Sequence, residues 1–226
     1  NSTGGTGDGA GIFINEGVVS ISNSTFSGNS AIKWGGGLFI QQNSVININN
    51  CTFIDNSTIQ NEGGAIAYIN NVDLNVSNSI FKNNTAVDTG GALFSNVSSS
   101  GLFEYCLFKG NYSNVEGGAY KGINSTVDFN FCTFVDNQSS QPGETLYSSP
   151  GNTINLNNSI IWMNSSSNPI LPSIEIREDA VVNITNSNIE GGESSVLFNP
   201  QNSGNSPILN WGSGNIDSNP LFCNID

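Results

Sequence analysis

Acidic side chains are the most numerous groups in this sequence that are suited to chemistry. The 226 residues include 18 acidic residues, 5 basic residues and no histidine, so the formal net charge is −13. The densest acidic group consists of Glu175, Glu178 and Asp179. Calcium prefers carboxylate ligands, but this group lacks the alternating Asp and Gly pattern of a calcium-binding loop. We therefore expect no cofactor, and calcium at this group is the one weak candidate.

Paired carboxylates are a second kind of chemistry to consider, because glycosidases use two carboxyl groups about 5–9.5 Å apart. Glu62 and Glu116 lie two sequence repeats apart. Stacked strands would separate them by roughly 10 Å, since neighbouring strands are about 4.8 Å apart. Asp55 and Asp136 are three repeats apart, roughly 14 Å by the same spacing. Both separations exceed the catalytic range, so we expect no enzyme activity from these pairs.

The composition disfavours several classes of protein. Asn occurs 38 times, Ser 32 times and Gly 26 times, and these residues form helices poorly. The 5 basic residues are too few for a nucleic-acid-binding surface, so we expect no nucleic-acid partner. No apolar run approaches the roughly 20 residues of a membrane span, so we expect no membrane insertion. With 36% hydrophobic residues and 13 Phe, the chain favours a folded β protein over a disordered tract.

Two motifs recur with one period. The first is a large apolar residue followed three positions later by Asn, as in FSGN (26–29) and FIDN (53–56). The Asn residues of this motif are Asn29, Asn56, Asn84, Asn111, Asn137 and Asn164, and their separations are 27, 28, 27, 26 and 27 positions. The second motif begins with Gly-Gly at 36–39, 63–66, 90–93 and 117–120, each 27 residues after the last. Shared periods of this length are typical of solenoids.

The residues before each Phe predict the structure within one repeat. Apolar residues stand five and seven positions before it and flank a polar residue, which is the alternation of a half-buried strand. Three positions before it most repeats carry Asn, which tolerates a left-handed backbone and marks a bend. Stacked once per coil, these amides are expected to form an internal ladder. The predicted ladder residues are Asn23, Asn50, Asn78, Asn158 and Asn186.

These columns predict an all-β parallel solenoid with about 27 residues per coil and roughly eight coils. We assign residues 1–190 to the repeats and residues 191–226 to a closing or connecting segment of the same domain.

The cysteines leave two alternatives open. Cys106 and Cys132 occupy the same inward column in adjacent repeats, and a Cα separation near 4.8 Å is compatible with a disulfide. The other alternative is a pair of free buried thiols that replace the Ser found in this column in other repeats. Cys223 falls outside the repeats.

The sequence contains 13 N-x-Ser/Thr sequons, which are acceptors for N-glycans in a secreted protein. Sequons in predicted loops or outward strand positions are the first candidates: Asn75, Asn96, Asn124 and Asn183. Four more share the column after the Phe anchor and are candidates only if that column points outward: Asn56, Asn111, Asn137 and Asn164. If that column is another amide ladder, they are unmodified.

The GGA(I/L/V) and FxxN motifs resemble the repeats of chlamydial polymorphic outer-membrane proteins. The wider pattern is similar to the right-handed, pectate-lyase-like β-helix, and the hand of the solenoid is implied by this resemblance. Residues 186–192 (NSNIEGG) and 214–222 (GNIDSNPLF) resemble the closing segment of large secreted β-helix proteins with a surface-anchoring region. Many members of the superfamily cleave acidic polysaccharides, which this acidic chain would repel.

We therefore expect an extracellular or cell-surface β-helix that is structural or adhesive and not catalytic. It is expected to associate with itself, with other surface proteins or with carbohydrate. One version is a glycosylated filament subunit that stacks head to tail. The alternative is a polysaccharide lyase or glycoside hydrolase. Ice binding is disfavoured because no column forms a regular Thr ladder.

Overall fold

The structure is a computed structural model that describes residues 9–162, 172–200 and 204–222. Within these residues the chain forms 26 strands and one 3₁₀ helix, Gly192–Ser195. The strands build a 14-stranded, a 7-stranded and a 5-stranded sheet, and neighbouring strands are parallel. The predicted parallel solenoid is therefore confirmed. Asn164 and Cys223 lie outside the described residues.

The 14-stranded sheet has two limbs, which are joined by the long strands β1 (Ile12–Ser22) and β4 (Leu38–Asn49). Each later coil adds one strand to each limb. The first limb is formed by β7 (Ile66–Ile69), β11 (Leu93–Asn96), β15 (Tyr120–Ile123), β19 (Leu146–Ser148), β22 (Ile174–Arg177) and β25 (Val196–Asn199). The second limb is formed by β8 (Asp73–Ser77), β12 (Ser100–Glu104), β16 (Thr126–Asn130), β20 (Thr153–Asn157), β23 (Val181–Thr185) and β26 (Ile208–Trp211).

Two narrower sheets complete each coil. The 7-stranded sheet contains β2 (Thr25–Ser27), β5 (Thr52–Ile54), β9 (Ile80–Lys82), β13 (Leu107–Lys109), β17 (Thr133–Val135), β21 (Ile160–Trp162) and β24 (Asn188–Ile189). The 5-stranded sheet contains β3 (Ser30–Ala31), β6 (Ser57–Thr58), β10 (Thr85–Ala86), β14 (Tyr112–Ser113) and β18 (Gln138–Ser139). The 7-stranded sheet indicates about seven coils. Each limb of the 14-stranded sheet, with β1 and β4 included, has eight strands, so the predicted number of roughly eight coils agrees with the structure to within one coil. Near the end, Ile216 makes an isolated bridge with Asn188.

The Phe residues of the repeat stack along the core. Phe53 and Phe81 are in register on β5 and β9, and their ring centroids lie 5.0 Å apart with the planes inclined by 3°. Stacks at 4.7 Å join Phe81 to Phe108 and Phe108 to Phe134. This register is strongly specified, because a slip by one residue would turn every inward side chain to the surface.

The Gly-Gly motif lies at the turn that leads into the first limb. Gly63 has φ +71°, a conformation that glycine adopts without steric cost. A Cβ on Gly64 would lie 2.2 Å from the carbonyl oxygen of Gly91 in the next coil. The second glycine of the motif is therefore required because the backbones of successive coils approach closely there.

A buried asparagine ladder is present in the column after the Phe anchor, which the sequence allowed as another amide ladder, and not at the residues predicted for the internal ladder. Nδ2 of Asn56 donates to Oδ1 of Asn84 at 3.0 Å, and Nδ2 of Asn84 donates to Oδ1 of Asn111 at 2.9 Å. Nδ2 of Asn84 also donates to the backbone carbonyl of Phe53 at 3.0 Å. The ladder comprises Asn29, Asn56, Asn84, Asn111 and Asn137. Asn56, Asn111 and Asn137 are fully buried, and this excludes them as glycosylation candidates because their amides are enclosed and bonded.

The residues predicted for the internal ladder are exposed at a corner of the solenoid. They are Asn23, Asn50, Asn78, Asn158 and Asn186. Their φ angles lie between 49° and 53°, so the predicted left-handed bend is confirmed. The internal position was wrong, because the bend directs these side chains to solvent. Two side chains of this column are hydrogen-bonded to each other: Asn50 Nδ2 donates to Asn23 Oδ1 at 2.7 Å.

The cysteine column contains free thiols. Cys51, Cys106 and Cys132 are buried, and none of the three forms a disulfide. Of the two alternatives for Cys106 and Cys132, the structure has the free buried thiols and not the disulfide. In a parallel stack the Cβ atoms stay about as far apart as the strands, roughly 4.8 Å, whereas a disulfide needs about 3.8 Å. The thiol of Cys132 bonds to the carbonyl oxygens of Phe103 and Asn130 at 3.4 Å, and burial raises its pKa.

Candidate functional site

A charged cluster lies on the outward face of the first limb, and we define it as Glu116, Lys121, Tyr147, Glu175 and Arg177. The strand register places Lys121 beside Tyr147 and Tyr147 beside Glu175. Two of the chain's 5 basic residues belong to this cluster. Because its members come from three successive coils, the cluster is assembled by the fold and not by local sequence.

Ion pairs and ring contacts connect the members of the charged cluster. Lys121 Nζ lies 3.2 Å from Glu116 Oε2 and 5.2 Å from the centroid of the Tyr147 ring. Arg177 Nη1 lies 3.3 Å from Glu175 Oε1, and its guanidinium carbon is 5.9 Å from the same ring. Asn199 Nδ2 donates to Glu175 Oε1 at 2.8 Å. Both carboxylates of the cluster therefore have partners within a few ångströms.

Burial changes the proton affinities in the charged cluster. Glu175 is 2% exposed, and burial raises its pKa above the usual value of 4.5 although Asn199 and Arg177 oppose this shift. Burial and the charges of Glu116 and Glu175 raise the pKa of Tyr147 well above its usual range. The Tyr147 hydroxyl therefore stays protonated at neutral pH and is not a base. A buried glutamate with a raised pKa is, by contrast, a feature that general acids share.

The other carboxylates considered in the sequence have separate partners. Trp34 Nε1 donates to Glu62 Oε2 at 2.7 Å, and burial raises the pKa of Glu62. Glu116 is paired with Lys121. Glu62 and Glu116 thus have different partners, the indole N–H of Trp34 and the ammonium group of Lys121.

The acidic group proposed as a calcium candidate is also divided among partners. Glu178 Oε2 lies 3.6 Å from Arg177 Nε. Asp179 Oδ1 accepts hydrogen bonds from Asn205, at 3.0 Å from the backbone N and 2.6 Å from Nδ2. Among the residues that the structure describes, no three Asp, Glu, Cys or His side chains are grouped so that they would hold a metal ion.

Comparison with known families supports the same fold. Residues 10–171 match the family described as a right-handed β-helix region. The chain belongs to the right-handed β-helix family. No curated protein and no solved structure matches the chain. Membership of this family establishes the fold, and the side chains of this β-helix determine what it can bind or catalyse.

The second limb gives the β-helix an outward surface of amides and hydroxyls, which we call the amide face. Asn155 Nδ2 donates to Asp128 Oδ1, and Asn183 Nδ2 donates to Asn155 Oδ1, both at 2.6 Å. A shallow groove of about 310 Å³ lies on part of this face, and residues of four successive strands line it, among them Ser20, Asn47, Asn75 and Glu104. The central column is Ser20, Asn47, Asn75, Leu102, Asp128, Asn155, Asn183 and Asn210.

The remaining glycosylation candidates lie on the surface of the β-helix to different degrees. Asn124 is exposed, whereas Asn75, Asn96 and Asn183 are half-buried. Both polar atoms of the Asn183 amide are bonded within the amide face, to Asn155 and Asn210 at 2.6 Å. Asn124 is thus the most accessible of the four.

In the described part of the chain no helix is long and apolar enough to cross a membrane.

Proposed function

We propose that this β-helix is an extracellular or cell-surface structural module that adheres to other surfaces and does not catalyse a reaction. The amide face carries the proposal, because polar side chains occupy seven of the eight positions of its central column, with Leu102 as the exception. Such a surface makes many hydrogen bonds of one kind, which suits an extended partner more than a small substrate. The experiment is pull-down of soluble and insoluble polysaccharides and of cell-surface proteins, followed by a search for reaction products.

The packing of the core supports a mechanical role. The Phe stack connects successive coils from Phe26 to Phe134, and the buried asparagine ladder connects them from Asn29 to Asn137, through contacts of the same kind. Side-chain rotation in this core is restricted, because interiors are close-packed. The solenoid is therefore a stiff spacer that presents its faces at fixed separations.

Head-to-tail stacking is the filament version of this proposal. Parallel solenoids associate when the edge strand of one copy pairs with that of the next, and such heterologous contacts are open-ended. Electron microscopy of native material tests it, because fibres support stacking and discrete particles contradict it. Glycans on accessible sequons such as Asn124 would then cover the sides of the fibre.

A carbohydrate-active enzyme is the second candidate function, and the charged cluster is the observation that favours it. Glu175 has a raised pKa and is paired with Arg177. Lys121 and Glu175 lie on the two strands that flank Tyr147, one on each side. A lyase would use a cationic base and a hydrolase would use the carboxyl group as an acid. Product release that is lost in Glu175→Gln would support the enzyme and contradict the adhesive module.

A further inference from the structure

Two aromatic rings project from the corner of the solenoid where the other coils carry Asn. Tyr105 and Phe131 precede β13 and β17, at the corner position of Asn78 and Asn158. Their ring centroids lie 5.0 Å apart and the planes are inclined by 8°. Tyr105 is 59% exposed and Phe131 is 49% exposed. The two rings therefore stack on each other and are open to solvent.

The backbone makes this pair costly to keep. Tyr105 and Phe131 both have φ 54°, and for bulky residues a left-handed backbone is a rare, strained conformation. Asn tolerates it, as the neighbouring coils show. Burial offsets only part of the strain, because about half of each side chain is exposed. Strained backbone positions cluster at functional sites, which makes this exposed pair a candidate for one.

The surroundings of the pair supply hydrogen-bonding groups. Glu104 and Asn130 immediately precede the two rings and are paired across β12 and β16. The groove of the amide face reaches Leu102 and Glu104. A solvent-exposed aromatic surface beside amide and carboxylate side chains is the combination that holds a ligand with apolar faces and many hydroxyls.

We propose that Tyr105 and Phe131 are a stacking platform for a neutral glycan, which continues into the groove of the amide face. This proposal rests on the adhesive function proposed above and names its partner class. The net charge of −13 and the carboxylate of Glu104 disfavour polyanions. Amides both donate and accept, and therefore match sugar hydroxyls. A pyranose ring offers C–H groups to an aromatic face and hydroxyls at its rim.

The test measures binding of neutral polysaccharides, with hydroxyethyl cellulose, laminarin and mannan as probes, by affinity electrophoresis and calorimetry. The double variant Tyr105→Asn/Phe131→Asn installs the residue that the same corner carries in other coils. Tyr112→Asn is the matched control, because Tyr112 is 36% exposed and lies on the 5-stranded sheet. Equal circular dichroism and an unchanged or higher Tm of the double variant establish that it folds.

The expected result is that the wild type and Tyr112→Asn bind at least one probe equally, and that the double variant binds it about tenfold more weakly or not at all. Equal binding by the double variant overturns the platform and leaves the adhesive function standing. Absence of wild-type binding to every neutral probe overturns the platform, and adhesion is then judged by cell-surface protein capture. Loss of self-association in the double variant, without glycan binding, assigns the rings to a protein interface and also overturns it.

Discussion

Asn84 and Asn111 share a side-chain hydrogen bond of 2.9 Å, and both residues are completely buried. Oδ1 of Asn111 also accepts from the backbone N–H of Asn84 at 3.0 Å. One amide therefore satisfies both the backbone and the side chain of the coil before it. Repeated along the axis, this relationship explains how a polar column is accommodated inside the solenoid.

Removal of one amide from the ladder is expected to be strongly destabilising. Asn84→Ala removes the acceptor of the Asn56 backbone N–H and of Asn56 Nδ2, and it removes one donor from Asn111 Oδ1 and one from the carbonyl of Phe53. Each buried polar group left unsatisfied costs about 1–3 kcal/mol, so we expect a loss of about 3–5 kcal/mol in the free energy of unfolding. Urea denaturation measures it.

The matched control is Asn78→Gly at the exposed corner, where glycine adopts the left-handed backbone without cost. We expect a change below about 1 kcal/mol there. Equal losses in the two variants would contradict the position of the ladder.

The ladder also illustrates how far the sequence is informative. The period and the Phe stack were predictable, because apolar columns at a fixed interval allow one register. The two Asn columns share that period, so periodicity alone does not distinguish inside from outside. The available signal was the presence of Tyr105 and Phe131 in the corner column, because a confined interior position would not accept both Asn and these large rings.

The buried thiols are expected to behave as small core side chains. Cys106→Ser installs the residue that the preceding coil carries at Ser79, whose hydroxyl donates to the carbonyl of Ser77 at 2.8 Å. The thiol of Cys106 already bonds to the equivalent carbonyl, that of Glu104, so we expect a loss below about 1.5 kcal/mol. In a Cys223→Ser background, reductant should leave the Tm unchanged, and thiol reagents should react only after unfolding. A fall in Tm on reduction would instead indicate a disulfide.

The contribution of Glu175 to stability is expected to rise as the pH falls from 7 towards its usual pKa of 4.5. Glu175 has a folded pKa raised above 4.5 by burial, so the folded chain binds this proton more tightly than the unfolded chain. Its contribution to stability is largest below its unfolded pKa and is lost as the pH rises through its folded pKa. Urea midpoints at the two pH values measure the effect.

Glu175→Gln should show a smaller gain on acidification than the wild type, since it lacks this titration. The exposed Glu193→Gln serves as the control and should behave as the wild type. An identical gain in all three proteins would show that Glu175 is not responsible.

Glycan occupancy is expected to follow burial. After secretion from a host with N-glycosylation, the folded protein should carry glycan at Asn124, which is exposed, and none at Asn56, Asn111 or Asn137, which are buried. Glycopeptide mass spectrometry reports each sequon separately. Glycan at a ladder position in monomeric, folded material would refute the buried ladder.

The charged cluster was not predicted, and the reason is geometric. Lys121, Tyr147 and Glu175 recur at 26 and 28 positions, which is the repeat period, but the three residue types differ and form no visible motif. Extending the column alignment to the strand after Gly-Gly would have placed them together. The contact between Glu116 and Lys121 depends on the shape of the turn between them, which the sequence pattern does not specify.

The most direct test of the proposed non-catalytic function is incubation of the wild type and Glu175→Gln with a panel of acidic and neutral polysaccharides. Reducing ends and unsaturated products are measured over time, together with the bound fraction. We expect both proteins to bind without releasing product. Sustained product release by the wild type, abolished in Glu175→Gln, would contradict the adhesive function and establish the β-helix as a carbohydrate-active enzyme.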